Sequence, residues 1–494
     1  MKVRYSTTSE DEKRTNRNLA SQWNSIDWNE VKFRVNRLQT RIAKATYNEN
    51  WNLVKRLTHL LIHSYSARLL AVRIITQNRG KRTAGVDGQL WKNASDKMRS
   101  TLSLTAQQYR AHPLRRIYIP KPGKSTKRPI SIPTMNDRTM QALYALALQP
   151  VAETTADTRS FCFRLFKCAQ DASAYAFLCL GKKTSSQWVL EGDIKGCFDN
   201  IAHSWLKNNI QIDRSILSQF LKSGFIFDGT YYHNVKGAPQ GSVISPILAN
   251  MALDGIEKIL LERFPKTKVH LIRYADDLLV TAPSKEIAEA VREILGNFLA
   301  IRGLELSPEK TVITHIDDGF DFLGWNFRKY KGTLLIKPSQ KSIKSITQKL
   351  KTTVSKAKVR TQDELIKTLN PVIRGWANYH RHIVAKDTFK KLDSYLWEIT
   401  WQWGKRRHPN KGRKWIASKY WHSEGSRKWV FRTKYNKLLK FSDAEIRRHA
   451  MPKLDANPYL DRNYFLERKE RIKKQTPWIQ TLFSFFTMSR PKGL

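Results

Sequence analysis

The chain has 494 residues, enough for several domains, and its 41% hydrophobic and 11% aromatic content excludes wholesale disorder. Lysine and arginine total 88 against 42 acidic residues, so the formal net charge is +46. Positive charges in such excess repel one another in a compact protein unless a polyanion neutralises them. The charge therefore predicts a nucleic-acid partner. Charge alone leaves a dedicated nucleic-acid function and simple adherence to RNA equally open.

The four cysteines, Cys162, Cys168, Cys179 and Cys197, fall in one short stretch and form no CxxC pair. A disulfide framework or a zinc knuckle is therefore not expected, and we expect the protein to be in a reducing compartment. The N-terminal residues lack the apolar core of a signal peptide, and no run of apolar residues is long enough to span a membrane. These features predict a protein of the bacterial or organellar interior with no membrane partner.

The N-terminal part is predicted to be helical. Apolar residues recur at steps of three and four over residues 31–45, which indicates an amphipathic helix. A second pattern predicts one continuous helix over residues 51–76, followed by a loop, TAGVDG, at residues 83–88.

Residues 114–327 alternate between short strands and helices. The run RRIYIPKPGKSTKRPISIP predicts two strands joined by a turn. Strands are also predicted at 187–194, 311–316 and 320–327, helices at 137–148, 244–263 and 284–302, and a hairpin at 269–282. Helices mixed with short antiparallel strands predict an α+β domain.

The last third is predicted to consist of basic helices, with amphipathic patterns beginning at Ile343 and covering 363–382 and 387–403. From Arg328 onward there are 41 basic and 12 acidic residues, which is +29 of the +46 net charge. Eight of the fifteen tryptophans also lie after Arg328. We therefore expect the main anchoring surface for nucleic acid in this part of the chain.

Carboxylates occur in two places that suit metal chemistry. Asp193 ends an apolar strand, and Asp276 and Asp277 follow Tyr274-Ala275 inside the predicted hairpin. Phosphoryl transfer to a 3′-hydroxyl uses two divalent cations about 3.5–4 Å apart, and carboxylate oxygens suit Mg²⁺. The plain alternatives are a hydrophilic turn for the pair and a strand-ending or capping role for Asp193. The turn is disfavoured because hairpin turns between apolar strands usually contain Asn or Gly.

Six sequence blocks in a fixed order resemble the reverse transcriptases encoded by group II introns. They are IPKPGKSTKRPISIP, DIKGCFDNI, GAPQGSVISPILAN, RYADD, GLELSPEKT and FLGWNF. The earlier LLAVRIITQNRGKRTAGVDG and the later IRGWANYH are similar to the same family, so the resemblance covers about residues 23–464. RNA-dependent RNA polymerases are less similar, since they usually carry GDD where this chain has YADD.

The resemblance implies a right-hand polymerase in four parts. These are an N-terminal extension with the start of the fingers (1–110), fingers and palm (111–327), an α-helical thumb called domain X (328–425), and a basic DNA-binding region (426–494). For the last two parts, an ordinary helical bundle and a flexible basic tail remain the alternatives. The zinc-dependent HNH endonuclease that many relatives carry is expected to be absent, as is an RNase H domain.

The resemblance also implies roles for individual residues. The metal site for two Mg²⁺ ions would comprise Asp193, Asp276, Asp277 and the backbone carbonyl of Ile194. The nucleotide site would comprise Arg115, Lys121 and Arg128 on the triphosphate, Phe198 as the gate against a ribose 2′-hydroxyl, and Gln240 near nucleotide and template. The primer grip would comprise Phe322, Leu323, Gly324 and Trp325. The plain alternatives are a solvated hairpin for the basic residues, a core position for Phe198 and a buried aromatic strand for residues 322–325. The cysteines and the pair His380 and His382 are interpreted as core or RNA-stacking residues rather than ligands.

The predicted function is therefore that of an RNA-directed DNA polymerase that uses dNTPs, binds its intron RNA to assist splicing, and acts on target DNA during intron mobility. Two alternatives stay open. One is an RNA-binding splicing cofactor with little polymerase activity, and the other is a defence- or CRISPR-associated reverse transcriptase. The intact YADD and Asp193 disfavour the first, and the IRGWANYH block with the basic C-terminal third disfavours the second.

Overall fold

The computed structural model describes residues 9–107, 109–120 and 127–475, so Lys121 and residues 476–494 lie outside the described parts. The helices in these parts are α1 (Ser9–Asn24), α2 (Trp28–Tyr47), α3 (Trp51–His63), α4 (Tyr65–Gln77), α5 (Ala94–Ser103), α6 (Met135–Thr155), α7 (Ala169–Leu180), α8 (Cys197–Asn200), α9 (His203–Asn209), α10 (Arg214–Lys222), α11 (Ser245–Leu253), α12 (Ile256–Arg263), α13 (Lys285–Ala300), α14 (Gln340–Lys356), α15 (Gln362–His380), α16 (Lys386–Arg407), α17 (Arg413–Tyr420) and α18 (Arg462–Gln475).

The strands are short and mostly antiparallel. They are β1 (Leu114–Pro120), β2 (Lys127–Ile132), β3 (Trp188–Asp193), β4 (Phe225–Phe227), β5 (Thr230–Tyr232), β6 (His270–Tyr274), β7 (Asp277–Ala282), β8 (Val312–His315), β9 (Phe320–Phe322), β10 (Trp325–Tyr330), β11 (Thr333–Pro338), β12 (Trp421–Glu424) and β13 (Arg427–Phe431). They form sheets in the orders β2-β1-β4-β5, β6-β7-β3-β8 and β11-β10-β9, and the hairpin β12-β13.

The sheet β6-β7-β3-β8 is the platform of the molecule. Its strands β3 and β7 carry apolar side chains on both faces, because α12 and α13 lie against one side of the sheet and α7 lies against the other. Val189 and Leu190, which are neighbours on β3, contribute to the two different cores. Helical and stranded elements therefore share one mixed α/β body, as the sequence predicted.

Most predicted elements are confirmed, but two predicted helices are each broken in two. The helix expected over 51–76 is interrupted at Ser64, whose extended backbone ends α3 and begins α4. The helix expected over 244–263 is interrupted at Gly255, which has φ +103°. The Asp157 carboxylate accepts hydrogen bonds from the Gly255 and Glu257 amides, so a distant side chain stabilises this second break.

The last third is helical around α14, α15 and α16, as predicted, and its apolar side chains join one core with α7 and with β9, β10 and β11. The strand expected over 320–327 is a hairpin, with its turn at Leu323 and Gly324. Within the described residues, no helix combines the length and apolar content that a membrane crossing requires.

Candidate active site

The hairpin β6–β7 brings the predicted carboxylates together. Tyr274 pairs with Asp277 across the hairpin, so Ala275 and Asp276 form its two-residue turn. Ala275 has φ +59°, a left-handed conformation that costs free energy for any residue with a β-carbon. Asp277 is also in register with Asp193 on β3. Since residues directly opposite in an antiparallel pair have neighbouring side chains, the three carboxyl groups meet at one edge of the platform sheet.

The electrostatics of this edge are those of crowded negative charge. Burial raises the pKa of Asp276, and the nearby Asp193 carboxylate raises it further. Asp277 keeps some exposed surface, yet desolvation of its carboxyl group and repulsion from Asp276 and Asp193 raise its pKa to about 7. A cation held between the three groups would relieve this repulsion.

Two lysines reduce part of this negative charge, and neither was assigned a role from sequence. The Nζ of Lys310 forms an ion pair with Oδ2 of Asp193. The positive charge of Lys341, at the start of α14, acts with Lys310 to lower the pKa of Asp277. Lys310 lies inside the GLELSPEKT block, so that block was the signal that could have found it.

The backbone hydrogen bonds beside Asp193 do not involve the carbonyl of Ile194, which is one of the predicted oxygen ligands. Ile194 forms an isolated bridge with Leu306, in which the Ser307 amide donates to the Asp193 carbonyl and the Lys195 amide donates to the Glu305 carbonyl. Neither bond uses the carbonyl of Ile194. Hard carboxylate and carbonyl oxygens around excess negative charge fit a divalent-metal centre.

Strands β1 and β2 carry the predicted basic residues Arg115 and Arg128. Arg128 lies close enough to Asp276 for its charge to lower the pKa of that carboxyl. Arg115 donates from Nε and Nη2 to the carbonyl of Ala84, at 3.0 and 2.8 Å. Arg115 therefore ties the TAGVDG loop to β1, and its proposed contact with a nucleotide would be made in addition to that bond.

Arg116 is a basic residue that the sequence analysis missed. Its guanidinium carbon lies 3.7 Å from the ring centroid of Phe225 on β4. Its Nε is buried and has no hydrogen-bond partner among the described residues. Burial lowers the pKa of Arg116, and the Asp199 carboxylate opposes that shift. A half-buried guanidinium group whose Nε donor is unused, near Asp199, is a further candidate for phosphate contact.

Phe198 lies on the short helix α8, which is hydrogen-bonded to the loop that carries Gln240. The amide of Ala238 donates to the Phe198 carbonyl at 2.7 Å, and Nε2 of Gln240 donates to Oδ2 of Asp199 at 3.1 Å. Phe198 is half-buried, and its ring meets the ring of Phe163 edge-on at 6.4 Å. The contacts hold the predicted gate and the predicted nucleotide-side glutamine on one side of the site.

The predicted primer grip is the hairpin turn between β9 and β10. Leu323 and Gly324 have φ +52° and +81°, the left-handed pair typical of a tight hairpin turn, while Phe322 and Trp325 pair across it. Trp325 is fully buried and donates from Nε1 to Nδ1 of His380 at 3.0 Å. The turn therefore belongs to the core it shares with α15, as the buried-strand alternative expected.

Three family models match the chain. A model described as "Reverse transcriptase (RNA-dependent DNA polymerase)" matches residues 119–327. A model of the N-terminal domain of reverse transcriptase matches residues 23–104, and one of the group II intron maturase-specific domain matches residues 343–421. The first model includes the three carboxylates, and the third includes most of the helical last third.

Two of the curated proteins that are similar to this chain are a bacterial protein and an intron-encoded protein. Protein YkfC of Escherichia coli (strain K12) is 31% identical over 301 residues, which cover 51% of this chain and 78% of that protein. The group II intron-encoded protein LtrA of Lactococcus lactis subsp. cremoris is 29% identical over 337 residues, covering 54% of this chain and 55% of LtrA. The chain thus spans about three quarters of the first relative and about half of the second.

Among solved structures, that of telomerase from Candida albicans in complex with the TWJ fragment of telomeric RNA is similar at 14% identity. The likeness covers 63% of this chain and 65% of the other, with a TM-score of 0.36, which is too low to bear on function.

Proposed function

Since the chain belongs to the family of group II intron-encoded reverse transcriptases with a maturase-specific domain, we propose that it copies RNA into DNA at the Asp193, Asp276 and Asp277 site and helps its intron RNA to splice. Reverse transcription and intron maturation are the activities for which the matched domains are named. The observation that supports the catalytic part is the register of Asp193 with Asp277 beside the Asp276 turn.

The reaction would be in-line attack of a primer 3′-oxygen on the α-phosphorus of a dNTP. A bond forms between that oxygen and phosphorus, the bond from phosphorus to the β-bridging oxygen breaks, and pyrophosphate leaves. Two Mg²⁺ ions, when bound, would supply Lewis acidity and neutralise phosphate charge. Asp193, Asp276, Asp277 and the Ile194 carbonyl would hold them, and the protein would otherwise contribute positioning.

The fingers and the loops beside α8 would select the nucleotide. The triphosphate would be bound by Arg128 and, as a further contact, by Arg115, because a guanidinium group can bind two phosphate oxygens at once. Lys121, which lies outside the described residues, would bind it through its ammonium charge. The ring of Phe198 would occupy the space of a 2′-hydroxyl. Gln240, oriented by Asp199, would contact nucleotide or template.

The helical last third would bind intron RNA. Helices with basic faces and exposed aromatic rings can contact a phosphate backbone and stack unpaired bases. Trp397 on α16 and Trp415 on α17 are 44% and 38% exposed, so their rings are accessible for stacking. We propose the boundaries 328–425 for this thumb and 426–494 for a region that binds target DNA, with 1–110 and 111–327 as the N-terminal extension and the fingers and palm of a right-hand polymerase.

The test of the catalytic assignment is Asp276→Ala in the full chain. Removing one of three neighbouring carboxylates should abolish primer extension with Mg²⁺ as the only metal, a loss of at least about a thousandfold in kcat, because the metal electrostatics of the transition state are lost. Intron RNA affinity, measured by filter binding, should stay within about twofold of wild type.

The chain contains a matched control, because a second Asp-Asp pair, Asp317 and Asp318, lies in the exposed turn between β8 and β9. Asp318→Ala should leave primer extension unchanged. Extension by Asp276→Ala at a rate near that of wild type would refute the site, and an equal loss in both variants would point to general damage instead.

A further inference from the structure

The segment 447–475 does not extend away from the enzyme but packs back across it. Asn457 donates from Nδ2 to Oγ1 of Thr154 at 2.9 Å, and Tyr459 is buried. Phe465 stacks on Phe166, with ring centroids 4.8 Å apart and 22° between the planes. Residues that were expected in a basic DNA-binding region therefore cover α6 and the loop before α7.

The segment is fixed by a buried carboxylate on α7. Asp171 has no exposed surface, and its Oδ1 accepts from Nε2 of His449 at 2.7 Å and from Nη2 of Arg468 at 3.4 Å. Its Oδ2 accepts from the amide of Cys168 at 2.7 Å. Ligand atoms of Cys168, Asp171 and His449 lie within 4.8 Å of one another, but hydrogen-bond donors already occupy both carboxylate oxygens. The cluster is thus an ion-pair anchor.

His382, just after α15, connects this anchor to the core around α15. Its ring lies edge-on to His449 at 6.3 Å and edge-on to Trp325 at 4.8 Å. Both ring nitrogens are buried without a hydrogen-bond partner among the described residues. Burial, with a smaller contribution from His449, lowers the pKa of His382 to about 3, so the ring is neutral and acts by its shape.

The primer-grip turn is attached to the same group of rings. Trp325 stacks on Tyr379 at 4.8 Å, and the Tyr379 hydroxyl donates to the Leu323 carbonyl at 2.9 Å. The amide of Ser339 donates to the Gly324 carbonyl at 3.0 Å. A displacement of Trp325 would therefore move the turn. The Leu323 carbonyl is bonded to Tyr379, which stacks on the Trp325 ring, and the Gly324 carbonyl is bonded to Ser339.

We infer that Asp171, His449 and His382 are positioning residues that hold the primer-grip turn through Trp325, so that the segment 447–475 sets the affinity for the primer terminus. This inference rests on the proposed function, because it takes the FLGW turn as the primer grip. The contacts Asp171–His449, His449–His382 and His382–Trp325 form one continuous path from α7 to the turn, which is fully buried at Asp171 and Trp325 and partly buried at the two histidines.

The test compares disruptive and conservative variants at two positions of the path. His449→Ala and His382→Ala should each raise the Kd for a primer–template duplex, measured by fluorescence anisotropy without dNTPs, by about tenfold. They should raise the KM for primer similarly and leave kcat within about twofold. His449→Gln keeps a donor for Asp171, and His382→Phe keeps an edge-on ring, so both should retain nearly wild-type affinity.

Val54→Ala is the control for general loss of stability, because Val54 is buried in a core to which Trp325 does not belong. It should lower the melting temperature without changing the primer Kd. The inference is refuted if the alanine variants lower the melting temperature yet bind primer–template within about twofold of wild type, or if His382→Phe behaves like His382→Ala. The affinity readout needs no synthesis, so it is independent of the outcome for Asp276→Ala.

Discussion

At the level of single residues, Gly241 shows how closely backbone segments approach each other on the nucleotide side of the site. It has φ +107°, and a β-carbon there would lie 2.6 Å from the Ser131 carbonyl oxygen. The Ser131 amide also donates to the Gln240 carbonyl at 2.7 Å. Any side chain at 241 would therefore force Gln240 away from β2.

Gly241→Ala should consequently raise the KM for dNTPs by about tenfold or more while leaving RNA affinity unchanged, because only the nucleotide side is distorted. Steady-state kinetics on one defined template would measure this. Gly229→Ala is the matched control, since Gly229 has φ +78° but open space around it. If both variants lose dNTP affinity equally, backbone conformation and not the contact with Ser131 is responsible.

The carboxylates could be predicted from sequence because each stands at the end of a short apolar strand, where hairpin pairing makes them neighbours. The ion pair between Lys310 and Asp193 could not, since 117 residues separate the two and no periodicity links them. Arg115 illustrates the same limit, because its bond to the Ala84 carbonyl depends on how a loop returns to β1. Local sequence patterns predicted the secondary-structure elements that carry these residues. Tertiary packing determined the partners of their side chains.

At the level of elements, the junction of α15 with the hairpin β9–β10, the proposed primer grip, contains neutral histidines. Burial, helped by His382, lowers the pKa of His380 to about 3, and its Nδ1 accepts from the Trp325 indole. An unfolded histidine has a pKa of about 6.5, so between about pH 6.5 and 3 the unfolded chain binds a proton that the folded chain does not. His380 therefore makes the folded state less stable, relative to the unfolded state, as the pH falls through that window.

His380→Gln should remove this dependence at its own position. As the pH falls from 7.5 to 5.0, the free energy of unfolding of the wild type should decrease by roughly 1–2 kcal/mol relative to that of the variant. Urea denaturation at both pH values measures this difference. Buried carboxyl groups such as Asp254 and Glu191, whose pKa values are raised to about 7 chiefly by burial, act in the opposite direction in both proteins and cancel in the difference. His59→Gln, on the exposed part of α3, should show no such change. A constant difference across the pH range would contradict the assignment.

The boundaries of elements were predictable where the chain carries its own signal. The helix α15 begins at a capping box formed by Thr361 and Glu364, and the periodicity of its apolar residues identifies its buried face. The break at Ser64 had only a weak signal, because serine favours helix caps but the apolar pattern continues through it. The break at Gly255 had one in the pair Asp254-Gly255, which the long apolar pattern outweighed.

At the level of the whole molecule, the excess positive charge is concentrated in the last third, and its effect on binding should depend strongly on salt. If the chain neutralises about six to ten phosphates, affinity for intron RNA should fall about 10³–10⁵-fold between about 50 and 200 mM salt. Changing four exposed residues to glutamine, Lys405, Arg406, Arg413 and Lys414, should flatten the log–log slope by up to about one for each phosphate that is no longer neutralised.

The matched control removes the same charge from exposed residues of α2 and α3, namely Lys32, Arg37, Lys55 and Arg56. Salt titrations of both variants would compare the two surfaces directly. A smaller change in slope for the control is expected, since +29 of the net charge follows residue 327. An equal or larger change for the control would make the N-terminal helices the principal RNA-binding surface.

The packing of the segment 447–475 also has a consequence for how the chain folds. Its contacts Asp171–His449, Thr154–Asn457 and Thr40–Tyr459 join residues 278, 303 and 419 positions apart. Contacts between residues so distant in sequence form late, because most of the chain must be ordered before they repay the entropy of closing the loop. On the ribosome, the buried carboxyl group of Asp171 lacks His449 and Arg468 until this segment emerges. The enzyme should therefore reach its full affinity for primer only after residues 447–475 have left the ribosome.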